Sequence, residues 1–216
     1  MRNRNIWQPM WNVLCLFAVS LLICTSRAEA QRRDQGGMRP GNVSPARLLV
    51  IDEVQKELKL TESQKSKARP INERLTAGRQ KLFASISRES GKRGPQVKKL
   101  NRAAESEIDE LLDDAQEKRL REIWLQYNVA EGLDVEEVQQ SLGLTEEQLT
   151  QIAEVKRNHA KAAKEALANF DGDRRAKQVE LQKQLDAELL NVLTAEQRAK
   201  FYSMQGENVM IDLLAS

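Results

Sequence analysis

The chain has 216 residues, with 34 Lys and Arg against 32 Asp and Glu and a single histidine. Near-neutral charge excludes the large positive excess that general nucleic-acid or anionic-membrane binding relies on. Only 4% of residues are aromatic, 10 are glycine and 5 proline, while Leu, Ala, Glu, Gln, Lys and Arg dominate. Those are helix formers, and no alternating strand pattern interrupts them, so the sequence predicts an all-α fold.

Residues 1–30 differ from the rest. Arg2 and Arg4 precede an apolar run from Trp11 to Thr25, which ends in Ala28-Glu29-Ala30. Positive charge, a short apolar helix and small residues at the cut are what an export signal requires, and cleavage is expected after Ala30. The run is shorter than the roughly 20 residues that span a bilayer, and no later segment approaches it, so no span is expected in the mature chain. Cys24 follows Ile23, too bulky for a lipid-attachment signal. Both cysteines, Cys15 and Cys24, fall in the signal, so the mature chain has none to form disulfides. Cleavage removes Arg2, Arg4, Arg27 and Glu29, leaving 31 basic and 31 acidic residues. A periplasmic or secreted location follows as an expectation.

Gln31 to Ser44 is polar and glycine-rich and reads as a flexible tether, residues 31–44. Ser44 is set to cap a helix with Pro45 in its first position, carrying Leu48, Leu49, Ile51, Val54 and Leu58. Val54-Gln-Lys-Glu-Leu-Lys-Leu-Thr-Glu-Ser-Gln64 then returns 84 residues later as Val138-Gln-Gln-Ser-Leu-Gly-Leu-Thr-Glu-Glu-Gln148, identical at seven of eleven positions. A second pair, Leu112-Asp-Asp-Ala-Gln116 and Leu193-Thr-Ala-Glu-Gln197, is offset by 81. These offsets indicate an internal duplication: repeat one over 45–130, repeat two over 131–207, and a tail over 208–216. Each repeat reads as a short helix, a Leu-Thr-x-x-Gln joint, two long helices about a polar turn, a second joint and a last helix.

In the first repeat, a helix from Thr61 to about Arg88 carries Ile71, Leu75, Leu82 and Ile86, with Pro70 expected to bend it. After the turn Ser90-Gly-Lys-Arg-Gly-Pro95, its partner from about Gln96 to Leu112 carries Val97, Leu100, Ala104, Ile108 and Leu111. In the second repeat Ile152, Val155, Ala162, Ala166 and Phe170 face Val179, Leu185, Leu189 and Val192 across Asp171-Gly-Asp173. Neither hairpin can bury its stripe alone, so the predicted architecture is two tandem helical hairpins packed together, with short capping helices.

In the joints the Thr hydroxyl can accept from the N–H three residues on, while the Gln side chain returns to the Thr N–H, forming a capping box. The expected caps are Thr61 with Gln64, Asp113 with Gln116, Thr145 with Gln148 and Thr194 with Gln197. These residues carry a resemblance. A signal peptide followed by a charged helical domain with Leu-Thr-x-x-Gln motifs resembles the Spy and CpxP family of periplasmic proteins. Members usually carry two motifs per chain and pair into a cradle-shaped dimer. This chain has four, with Asp113 in place of one Thr, so over about residues 45–205 it looks like two family units fused into a pseudo-dimer. The resemblance implies an ATP-independent chaperone binding unfolded proteins, an adaptor docking an envelope partner, or a metal-stress role.

Residues with possible chemistry are few. His159, the lone histidine, falls at helical spacing from Val155 and Ala162 and reads as a partly buried structural residue. Without a second histidine or a mature cysteine, zinc and copper lack their usual ligands. Asn169, Asp171, Asp173 and Glu180 match positions 1, 3, 5 and 12 of a calcium loop, but Arg174 replaces its required glycine, so Asp173 is expected to cap a helix instead. No metal, cofactor or catalytic residue is predicted. Arg88, Lys92, Arg93, Lys98, Lys99 and Arg102 form a basic patch about the first turn, a candidate rim for an acidic or unfolded partner. Acidic residues gather at Glu105 to Asp114 and Glu131 to Glu137, while carboxylates on the helices in general alternate with Lys and Arg, as on exposed faces.

Overall fold

A computed structural model describes residues 43–86 and 93–211. Residues 1–42, 87–92 and 212–216 lie outside them, and with them the predicted signal and most of the predicted tether. The described residues form ten helices and no strand: α1 Pro45–Leu48, α2 Asp52–Glu57, α3 Glu62–Ser85, α4 Arg93–Leu111, α5 Asp114–Tyr127, α6 Val129–Gly132, α7 Glu136–Leu142, α8 Glu146–Ala168, α9 Arg174–Val192 and α10 Ala195–Ser203. No described helix is long and apolar enough to cross a membrane.

The helices follow one order twice. The starts of α1, α2 and α3, at Pro45, Asp52 and Glu62, lie 84 residues before those of α6, α7 and α8, at Val129, Glu136 and Glu146. The starts of α4 and α5, at Arg93 and Asp114, lie 81 before those of α9 and α10, at Arg174 and Ala195. Small bonds repeat as well: Gln55 Nε2 donates to Leu49 O and Gln139 Nε2 to Leu133 O, both at 2.8 Å.

Several expectations need correction. The first helix starts as read, with Ser44 Oγ accepting from Arg47 N–H at 3.3 Å, but it breaks after Leu48. Val50 N–H and Ile51 N–H bond back to Arg47 O and Leu48 O, and Ile51 opens α2 with an extended backbone. Val43 and Ser44, read as tether, are buried, and Val43 N–H donates to Asn128 Oδ1 at 2.8 Å. α6 runs across the expected repeat boundary at 130. In α8, Ala162 and Ala166 are exposed; Ile152, Lys156 and Leu167 are the buried residues. Leu167 holds far more apolar area than Ala166, and the buried face, which keeps Ile152, is rotated roughly 60° from the predicted stripe.

α3 and α4 pack as one hairpin and α8 and α9 as another. One continuous core joins them. It runs from Val43, Leu48, Leu49 and Val54 through Ile71, Leu75 and Ile108 to Trp124, Leu133, Val138, Leu189 and Phe201. At its centre α6 comes so close to its neighbours that a Cβ on Gly132 would lie 2.7 Å from Leu125 Cδ2.

The turn before each first joint differs in one informative residue. Gly143 takes φ +64°, and Leu144 N–H bonds back to Gln139 O at 3.1 Å. Lys59, 84 residues earlier, takes φ +49° while Leu60 N–H bonds to Gln55 O at 3.0 Å. This helix ending needs a left-handed residue, which glycine adopts without Cβ strain and lysine does not. Lys59→Gly should therefore raise stability by about 0.5–1 kcal/mol, and Gly143→Lys should lower it by a similar amount. Urea midpoints at constant slope check both, and a destabilised Lys59→Gly chain would contradict the strain argument.

Candidate functional site

All four joints form capping boxes. Thr61 Oγ1 accepts from Gln64 N–H at 3.2 Å while Thr61 N–H donates to Gln64 Oε1 at 3.0 Å. Asp113 does the work of Thr, its Oδ1 accepting from Ala115 N–H and Gln116 N–H at 3.0 and 2.9 Å.

The joints also pair. Gln64 Nε2 donates to Gln116 Oε1 at 2.7 Å and to Leu111 O at 3.0 Å, while Gln116 Nε2 donates to Leu58 O at 3.1 Å. Gln148 Nε2 likewise donates to Gln197 Oε1 at 2.7 Å and Val192 O at 3.1 Å, while Gln197 Nε2 reaches Leu142 O at 3.3 Å. Each glutamine thus caps the start of its own helix with its oxygen and, with its nitrogen, the open carbonyl at the end of another. Glutamate could satisfy the first task and not the second, which gives the motif its Gln. The links also fix direction: the start of α3 meets the end of α4, and the start of α8 meets the end of α9, so both hairpins are antiparallel.

Gln116→Ala should cost about 2 kcal/mol, through the lost cap and the unpaired Leu58 carbonyl. Gln116→Glu should recover part of that loss, because its oxygen still accepts from Asp113 N–H. Urea unfolding of both variants, with a double-mutant cycle against Gln64→Ala, reads the coupling; simple additivity would mean that the two glutamines act independently.

Other predicted residues are placed less tightly. Arg88 and Lys92 lie outside the described residues, as does the side chain of Arg93. Lys99 and Arg102 are exposed on α4 and Lys98 is half-buried. His159 is half-buried on α8, and burial lowers its pKa against the opposing pull of Glu188. Of the calcium-like residues, Asp173 Oδ1 accepts from Arg175 and Ala176 N–H at 2.9 and 3.1 Å, and Glu180 pairs with Lys177 at 2.8 Å. Among the described residues no group of three or more His, Cys, Asp or Glu could hold a metal ion.

Sequence reasoning missed two features. The first is a set of buried charges that it had taken as an exposed face. Lys156, 8% exposed, donates to Ala130 O at 2.6 Å and forms an ion pair with Asp134. Burial lifts Glu131 to about 8, Lys156 opposing and Asp134 and Asp186 adding to the rise; burial also lifts Asp134, and takes Asp186 to about 6 against a hydrogen bond from Gln182. In the first hairpin Glu105, 4% exposed, is lifted to about 9 by burial and by Asp109, with Arg102 opposing. Glu105 lies seven residues before Leu112, and Asp186 lies seven before Leu193. A matching acid at both sites was the signal available in the sequence.

The second is the tail, which is seated on α5. Gln126 Oε1 accepts from Val209 N–H at 3.0 Å, and Gln126 Nε2 donates to Glu207 O and Gln205 O, both at 2.7 Å. Tyr127 Oη donates to Val209 O and accepts from Ile211 N–H at 2.9 Å. Arg119, paired with Glu57 and Glu122, adds a bond to Glu207 O at 2.7 Å.

No known protein-family model, curated protein or solved structure matches the chain.

Proposed function

We propose that the protein is exported to the cell envelope and holds unfolded polypeptides there without ATP. The observation that carries this reading is the pairing of its four Leu-Thr-x-x-Gln-type joints, two by two, through glutamine clasps. A clasp ties the root of each hairpin, so the two long helices leave it as a braced pair of arms. The outer parts of those arms are charged and solvated: Arg157, Asn158, Lys161, Lys164 and Glu165 are exposed on α8, and Phe83 is an exposed aromatic near the end of α3. Mixed charge with isolated apolar contacts suits weak, reversible binding of varied clients. Two family-like units in one chain would take the place of the two chains of a dimer.

The test is aggregation of an unfolded reporter with equimolar residues 31–216 and no nucleotide. Suppression beyond that of an inert helical protein is expected. No suppression would reject the reading.

A second reading is an adaptor that docks one envelope partner. It is favoured by the burial of most large apolar residues in the chain's own core, which leaves Phe83, Tyr202 and Met210 as the large apolar side chains exposed among the described residues. A pull-down returning one stoichiometric partner, together with no client protection, would select it.

A further inference from the structure

The contacts between the tail and α5 fall mainly on main chain. Gln126 grips Val209 N–H and Glu207 C=O with the two ends of one amide, as a neighbouring strand would, and Tyr127 continues the pattern to Val209 C=O and Ile211 N–H. The residues whose main chain is held are 205, 207, 209 and 211, alternate positions as along the edge of a strand. Among the side chains, Glu207 and Asn208 are exposed and Met210 is 80% exposed, while Val209 is buried and Ile211 is half-buried against the core. Such a clamp reads a backbone in strand-like register plus two aliphatic anchors, and otherwise makes few demands on sequence.

The entry to the strap is sharply defined. Gly206 takes φ +62°, and a Cβ there would lie 2.3 Å from Glu122 Oε2 and 2.6 Å from Arg119 Nη1. Those atoms are the ends of flexible side chains that can shift, so what restricts this position is its left-handed backbone, which a β-branched residue adopts only at a cost.

We propose that the Gln126–Tyr127 clamp on α5 is a binding site for an extended segment of another polypeptide, kept closed by the chain's own residues 207–211. Being tethered, the tail competes at an effective concentration in the millimolar range. An outside segment binds when the strap is loosened or when it offers a better anchor than Val209. The site stands apart from the chaperone reading, because a clamp that accepts a peptide can exist in a protein that protects no client.

The test uses residues 31–216 and a fluorescently labelled synthetic peptide of the sequence from Gln205 to Ile211. Val209→Asp and, separately, Gly206→Val, which also displaces Arg119, release the strap while Gln126 and Tyr127 are kept. Both variants should bind the peptide by fluorescence anisotropy at least tenfold more tightly than the unaltered chain, with helical circular dichroism unchanged. Adding Gln126→Ala to either variant should remove the gain, and a peptide with Val209 replaced by Asp should not bind. Release variants that keep their helical signal and still do not bind the peptide would overturn the proposal, as would binding indifferent to Gln126→Ala. Light scattering that shows the unaltered chain to be a dimer dissociated by Val209→Asp would also overturn it, in favour of tail exchange between two copies.

Discussion

Lys156→Ala should destabilise the protein by about 3–5 kcal/mol at pH 7, more than any single surface change. Lys156 lies 8% exposed on α8, where it neutralises Asp134 and caps Ala130 O, with the carboxyls of Glu131 and Asp186 in the same electrostatic neighbourhood. Removing the ammonium leaves buried negative charge without a counter-ion and a carbonyl without a donor. The loss should shrink on acidification. Burial already holds Asp186 at about 6 and raises Asp134, and without Lys156 the acids beside it rise further. Acids whose folded pKa lies above the unfolded value make the fold lose stability as pH rises through that interval, so the variant's deficit is largest at high pH. Urea unfolding of both chains at pH 5 and pH 8 reads this directly. A deficit equal at both values would mean that Lys156 acts through packing alone. Lys156→Met with Asp134→Asn should be milder, since it removes the pair and not one partner.

How far the sequence foretold this molecule follows from the distance over which each signal acts. The capping joints were legible residue by residue, because a capping box is closed within four residues and depends on nothing outside them. The long helices follow the duplicated motifs, but the short helix of each repeat is split in two, about Val50 and about Asp134, with no local breaker to announce it, and α4 starts at Arg93, inside the expected turn. What the sequence did not show is which joints meet. The same glutamine amide that closes the box has a further N–H, and its partner lies 44 to 58 residues away.

Burial of charge was the least legible feature. Glu105, Glu131 and Asp134 sit in short acidic runs, 105–114 and 131–137, and Lys156 and Asp186 among mixed charges, and only the approach of other elements determines which are enclosed. α6 illustrates this. A four-residue helix at the expected boundary between the repeats, it packs on α9 and brings Glu131 and Asp134 to Lys156. The tail was recognisably apolar, but the receptor for its backbone is a pair of polar residues, Gln126 and Tyr127, at the end of an ordinary amphipathic helix.

Glu105→Gln should stabilise the protein at neutral pH, on the order of 2–3 kcal/mol, and change little at pH 4. Burial raises the folded-state pKa of Glu105 from 4.5 to about 9. Between those values the folded chain keeps a proton that the unfolded chain has released, so stability present below pH 4.5 is lost as pH rises, at about 1.4 kcal/mol per unit. Glutamine has the shape of the neutral acid and no charge to ionise in either state, so it removes this slope. The environment supports the swap: Glu105 Oε1 and the nearby Asn101 Nδ2 are both buried without a hydrogen-bond partner among the described residues. Asn101 Oδ1 is already held by Arg79 at 3.0 Å. Stability curves from pH 4 to 9 should diverge steadily between the two chains, the unaltered one falling faster. Parallel curves would place the Glu105 carboxyl in solvent and remove the reason for its raised pKa. Asp186, the residue at the matching position of the second hairpin, ionises at about 6 and has Gln182 as hydrogen-bond donor, so Asp186→Asn should show the same sign over a narrower interval.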